Sequence, residues 1–149
     1  MAAEEPEAEL NTGLLLFIPY RAMENRVFAA MAAAGFGDLT LAQGRLFQRI
    51  GPRGTRLTDL AEQAQVTKQT AGVLVDQLQR AGYVTRTPDP ADARARLIRI
   101  TDRGEAAVAV AAGAVAEVEA EWLRHLGKRR MAQLRRSLTV LREITDPYA

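Results

Sequence analysis

Cysteine is absent, histidine occurs once and aromatic side chains make up only 5% of the chain. Without cysteine there is no disulfide staple, no thiolate ligand and no thiol-based oxidant sensing. The sole histidine, His125, has no cluster of companion ligands, and no glycine-rich loop ends in Gly-Lys-Ser/Thr to hold a nucleotide phosphate. No metal or cofactor is implied, a small enzyme becomes the weaker reading, and His125 is expected on a surface or an interface. Long apolar runs are missing too. The longest, Leu14 to Ile18, is cut by Pro19 and is too short to span a bilayer, and no basic-then-apolar leader precedes it, so no membrane partner and a cytoplasmic location are expected.

Net charge is also small, with 20 Lys and Arg against 18 Asp and Glu, and it exerts little overall pull on a polyanion. Its distribution is uneven. Glu4, Glu5, Glu7 and Glu9 make the start acidic, Arg53, Arg56, Arg86, Arg94, Arg96 and Arg99 form a central basic cluster, and Arg124 to Arg142 make the last quarter basic. The two ends are expected to lie near each other, the acidic start beside the last helix of a partner subunit. What the chain has in quantity is apolar residues, 48% of the total and rich in alanine, which favours close-packed helices. A chain of 149 residues accommodates one binding domain with an oligomerisation element.

Apolar positions recur at helical spacing from Leu10 to Ala34, with Gly35 as the stop and a kink possible at Pro19. Thr40 and Gln43 fit a capping box opening a second helix through Ile50, which Gly51-Pro52 ends. Thr58 is read as the cap of a short helix to Ala64, and Thr67 as the cap of another that runs to Arg80 and stops at Gly82. Two short helices joined by so brief a turn suggest a helix-turn-helix. Tyr83 to Thr87 and Leu97 to Thr101 read as strands, with Pro88 to Arg96 as the loop between them, because prolines do not continue a ladder. A hairpin there is a wing. Thr101 or Asp102 caps a long helix from about Arg103 to Leu126, striped by Val108, Ala112, Val115, Val118 and Trp122. After Gly127 a last helix, Arg129 to Ile144, carries Met131, Leu134, Leu138, Leu141 and Ile144.

The fold class expected is mainly α (α+β): residues 1–9 a disordered acidic tail, 36–102 a winged helix-turn-helix domain, and 10–35 with 103–149 helices that bury their stripes against a second copy. A monomer folding those helices onto its own winged domain is the alternative. On the helix after Thr67, Ala71, Leu74, Val75 and Leu78 share one face and seal it to the domain, leaving Gln69, Val73, Asp76 and Arg80 outward. Its N-terminal half presents Thr67, Lys68, Gln69, Thr70, Gly72 and Val73 to a major groove. Gln69 suits adenine, Lys68 guanine or phosphate, and Val73 a thymine methyl, while Gly72 permits close backbone approach. In the wing, Arg94 suits a narrow minor groove and Arg96 a phosphate, with Asp92 orienting Arg94.

The order of Leu57-Thr58-Asp59-Leu60-Ala61, Thr67-Lys68-Gln69-Thr70, Leu74-Val75-Asp76-Gln77-Leu78, Gly82-Tyr83-Val84, Asp89-Pro90, Asp92-Ala93-Arg94 and Ile100-Thr101-Asp102-Arg103-Gly104 resembles the MarR family of winged-helix regulators over nearly the whole chain. The resemblance implies a homodimer built by the terminal helices and bound to double-stranded DNA at a pseudo-palindrome. Recognition helices enter successive major grooves and wings the flanking minor grooves. It also implies an amphipathic or aromatic small-molecule effector between stem and winged domain, for which Phe17, Tyr20, Arg21, Phe28 and Phe47 are the candidate pocket; ordinary core packing is the competing account of these side chains. The function expected is a homodimeric transcriptional repressor released by such an effector. Val73 and Ala93 depart from the family's usual polar or basic residue and arginine, which weakens transfer of base specificity. A winged helix that binds protein instead of DNA is the rival reading.

Overall fold

The computed structural model describes residues 9–148, so Glu4, Glu5 and Glu7 of the acidic start lie outside the described residues. Asn11 opens the first helix, α1 (Thr12–Ala33), by accepting the Leu14 N–H at 2.9 Å, and the helix runs on through Pro19. Thr40 and Gln43 form the reciprocal capping box that their spacing predicts, and α2 (Leu41–Phe47) follows. It ends sooner than expected, and buried Ile50 is carried by a tight turn in which its N–H reaches the Phe47 carbonyl at 3.1 Å.

The next helix differs from the sequence expectation. Thr58 is not its cap: α3 (Leu57–Ala64) starts two residues earlier, from Arg56, with no side-chain cap. Arg56 belongs to a two-residue strand, β1 (Thr55–Arg56), paired with the end of the hairpin, and this pairing delivers the chain directly into the helix. Gln65 adopts a left-handed conformation at φ 56° to turn the chain. Thr67 then caps α4 (Lys68–Arg80), accepting the Thr70 N–H at 3.1 Å, and Gly82 at φ +85° follows its end. Ala71, Leu74, Val75 and Leu78 are the buried face of α4, as their spacing predicts.

The wing differs as well. Residues 88–96 do not form an open loop, because β2 (Val84–Asp89) and β3 (Asp92–Ile100) pair almost to the tip, with Pro88 opposite Arg96 and Asp89 opposite Asp92. The sheet order β1-β3-β2 explains the tolerance. An edge strand needs only one row of backbone partners, so it accepts proline, and a register shift falls at Pro88/Asp89. Leu46, Leu60, Val75, Leu78, Tyr83, Val84 and Ile98 fill the core between sheet and helices.

Thr101 accepts the Gly104 N–H and caps α5 (Asp102–Leu126); Gly127 at φ +82° then turns the chain into α6 (Lys128–Thr145). Of the stripe read on α5, Val118 is buried and Val115 and Trp122 are half-buried, whereas Val108 and Ala112 are exposed and Ala107 and Ala114 are buried instead. Small side chains lie where α5 approaches α1. In the single chain much of the stem's apolar surface is uncovered: Leu14 to Ile18 on α1, and Leu138, Leu141 and Ile144 on α6, the last 84% exposed.

Gly104 sits where α5 leaves the winged domain, and a Cβ there would meet the Tyr83 carbonyl oxygen and, at 2.5 Å, the Ile100 Cγ2. Backbone and a packed methyl have little room to yield. Gly104→Ala is therefore expected to destabilise the fold by roughly 1–3 kcal/mol despite its gain in helix propensity, read as a lower urea midpoint at unchanged slope.

Candidate nucleic-acid interface

On α4, Lys68, Gln69, Thr70 and Val73 are exposed, Val73 to 51%. Thr67 and Thr70 engage each other, the Thr67 hydroxyl donating to Thr70 Oγ1 at 3.0 Å while it caps the helix, so both are partly committed within the chain. Gly72 is half-buried, with Leu57 Cδ2 3.9 Å from where a Cβ would stand.

The hairpin carries Arg94 and Arg96 exposed near its tip, and among the described residues neither makes an ion pair, nor does Lys68. Asp92 touches Arg94 through the backbone, accepting its N–H at 3.0 Å, and so shapes the turn while leaving the guanidinium free. The acid that anchors the wing is Asp89, which the sequence pattern does not single out. Asp89 is buried, accepts the Ala91 N–H at 2.9 Å, and takes Arg56 Nε at 2.8 Å. The Asp-Pro turn is a local signal for the first bond; no local signal points to Arg56.

Behind this surface, Tyr83 donates its hydroxyl to Asp38 and accepts from the Arg103 guanidinium at 3.0 Å. Arg103 also donates to the Ala81 carbonyl at 3.2 Å and lies over the Phe36 and Tyr83 rings. Burial, and next the Asp38 carboxylate, push the Tyr83 hydroxyl up to about 12. A second bridge joins α2 to α4, where Gln43, already part of the capping box, donates to the Gln77 side chain at 2.9 Å.

A cavity of about 380 Å³ opens between α1, α2 and α5, lined by Tyr20, Phe28, Phe47 and Val115 among others. Of the five residues expected there from sequence, Tyr20, Phe28 and Phe47 line it; Phe17 and Arg21 do not, lying exposed on α1. The cation at its wall is Arg45 instead, held in a fork on Glu24 at 3.0 Å through both Nε and NH2, and Tyr20 donates to the same carboxylate at 2.9 Å. The Arg45 bonds hold Glu24 below the usual carboxylate range. Gly44 packs against Phe28, whose Cζ would be 2.6 Å from an added Cβ. Among the described residues there is no cluster of His, Asp or Glu suited to a metal ion, and no helix is long and apolar enough to cross a membrane.

A helix-turn-helix followed by a three-stranded wing, set on long terminal helices and presenting uncommitted cations, defines a winged-helix DNA-binding protein. Residues 37–95, which span the helix-turn-helix and most of the wing, match the MarR family model. Comparison with curated protein sequences returns no match. Among solved structures, the chain is similar to MarR at 23% identity and TM-score 0.72, covering 91% of this chain and 98% of that one. It is also similar to MepR of S. aureus in a DNA complex, at 22% identity and TM-score 0.68 over 89% of this chain and 97% of that one. A MarR family protein of Mycobacterium tuberculosis in complex with salicylic acid matches at 26% identity and TM-score 0.63, covering 90% and 98%.

The Ala91 N–H, followed by Arg56, holds the Asp89 carboxylate below its usual range. A depressed pKa of this kind stabilises the folded wing fully above the ordinary carboxylate value, about pH 4, and the stabilisation is lost as pH falls through the depressed one. The Ala91 amide resonance is expected to hold its position on acidification past the point where exposed carboxylates titrate, and Asp89→Asn is expected to remove the delayed transition.

Proposed function

We propose that the protein is a homodimeric transcriptional repressor that binds a pseudo-palindromic operator and releases it when a small molecule occupies the cavity between stem and winged domain. The observation that carries the DNA reading is the division of charge on the head. Lys68, Arg94 and Arg96 stand free, whereas Asp76 and Asp89 beside them are each tied to an arginine. Lys68, Gln69, Thr70 and Val73 are the residues assigned to the major groove, with Thr67 and Gly72 shaping the helix start. Arg94 is assigned to the minor groove and Arg96 to phosphate, on a hairpin that Asp92 and Asp89 hold in shape.

The dimer rests on the apolar stretches that a single chain leaves open on α1 and α6. Self-association through these helices covers them and sets two heads side by side, matching half-sites about one helical turn apart. The effector reading rests on the cavity's chemistry: apolar walls with one carboxylate, one guanidinium and one phenol at the edge suit an amphipathic aromatic molecule. A winged helix serving only as a protein-binding module has less support, since it gives the unpaired wing arginines no task.

Sedimentation is expected to give a dimer at micromolar concentration, and selection from a random pool to recover a duplex with two related half-sites. Changing Gln69 and Arg94 together to alanine is expected to weaken binding to that duplex at least about tenfold, with the fold intact. Absence of duplex binding even at low salt overturns the reading. For the effector, Val115→Trp fills the cavity; it is expected to preserve DNA binding while abolishing release by any aromatic acid that frees the wild-type protein.

A further inference from the structure

Arg86, on β2, is outside every residue assigned above to DNA, yet its side chain reaches the reading helix. Its guanidinium donates to Asp76 Oδ1 at 2.7 Å and to the Gln79 side-chain oxygen, and only 25% of its side chain is exposed. Asp76 is 55% exposed, and Arg86 is its one ion-pair partner among the described residues. Two facts about Asp76 are in tension: it lies on the outward face with Gln69 and Val73, and it is an acid.

Asp76 follows Gln69 by two helical turns, a rise of about 10 Å. The major groove is about 12 Å wide, so a helix that places Gln69 against base edges carries Asp76 toward the phosphates at the groove margin. An uncompensated carboxylate there repels the backbone it approaches. Arg86, 2.7 Å away, offsets this charge. Because β2 is the first strand of the wing, the same contact also ties the wing's base to α4.

We propose that Arg86 is a positioning residue for DNA recognition, acting through Asp76: it cancels the carboxylate's charge at the groove margin without touching DNA itself. The inference rests on the DNA-binding reading above. It accounts for a basic residue committed to side chains of the reading helix, and for an acid kept on the expected contact surface.

The test compares wild type, Arg86→Ala, Asp76→Asn and the double variant on the duplex that the wild-type protein selects from a random pool, using fluorescence anisotropy across a salt series with thermal melting alongside. Arg86→Ala is expected to lose about tenfold in affinity. Asp76→Asn alone is expected to bind at least as tightly as wild type, and the double variant to return to within roughly threefold of Asp76→Asn. A merely structural role does not produce that rescue. A double variant as weak as Arg86→Ala, with the salt slope reduced by about one, overturns the inference by making Arg86 a direct phosphate contact. Unaltered affinity in Arg86→Ala overturns it, and so does a tenfold loss in Asp76→Asn, which makes the carboxylate itself a reader. Should Arg86→Ala not fold, Asp76→Asn and the double variant still decide. Failure of the wild-type protein to select any duplex is a separate outcome that removes the DNA reading and the inference with it.

Discussion

Tyr83 lies wholly buried where the end of α4, the start of α5 and the connection from α1 to α2 converge, and its contacts hold those three parts in one arrangement. Its N–H bonds the Leu78 carbonyl, its carbonyl accepts from Thr101, and its ring packs edge-on to Phe47 with centroids 6.3 Å apart. A buried phenol without hydrogen-bond partners costs about 1–3 kcal/mol. Asp38 and Arg103 remove that cost from opposite sides. Arg103 belongs to the stem helix while bonding the carbonyl at the end of the reading helix, so this residue pair links stem and head directly.

From that junction outward, the head is organised by pairing its acids. Asp89 is held by Arg56 across the sheet, and Asp76 by Arg86 between sheet and helix. The first joins β1 to β2, which are distant in the chain, the second braces α4 against the strand that follows it, and each neutralises one acid of the head. The bridge from Gln43 to Gln77 runs in the other direction, from the helix beside the cavity to the reading helix. The same helix that puts Gly44, Arg45 and Phe47 on the cavity wall is thus hydrogen-bonded to the reading helix.

Features governed by neighbours along the chain are legible in the amino-acid order itself. The Thr40–Gln43 box, the Thr67 and Thr101 caps and the sealed face of α4 all depend on residues three or four positions apart. Illegible features depend on distant partners. A two-residue strand has no periodicity of its own, and β1 exists only because β3 offers it Ile98 and Leu97. With that strand in place, the helix starts ahead of Thr58. On α5 the buried row is fixed by where α1 lies against it, so Val108 and Ala112 are as plausible from sequence as Ala107 and Ala114. Helix rotation is hidden in the same way, which is why Phe17 and Arg21 look like cavity residues in the sequence while Glu24 and Arg45 do not. Among site residues, the exposed positions on α4 and in the wing are readable from helical phase and charge; the arginines that hold the acids are not.

The pairing of Pro88 with Arg96 changes what the wing brings to an encounter. A nine-residue open loop samples many backbone states, and fixing each residue on contact costs about 1–2 kcal/mol in entropy. A hairpin paired up to Pro88 and Arg96 and closed by the Asp89 turn has met part of that cost during folding, while residues 93–95 bulge at the register shift. Arg94 therefore arrives on a bulge between paired segments, its backbone held through the Asp92 carboxylate, with less of the chain left to order than in an open loop.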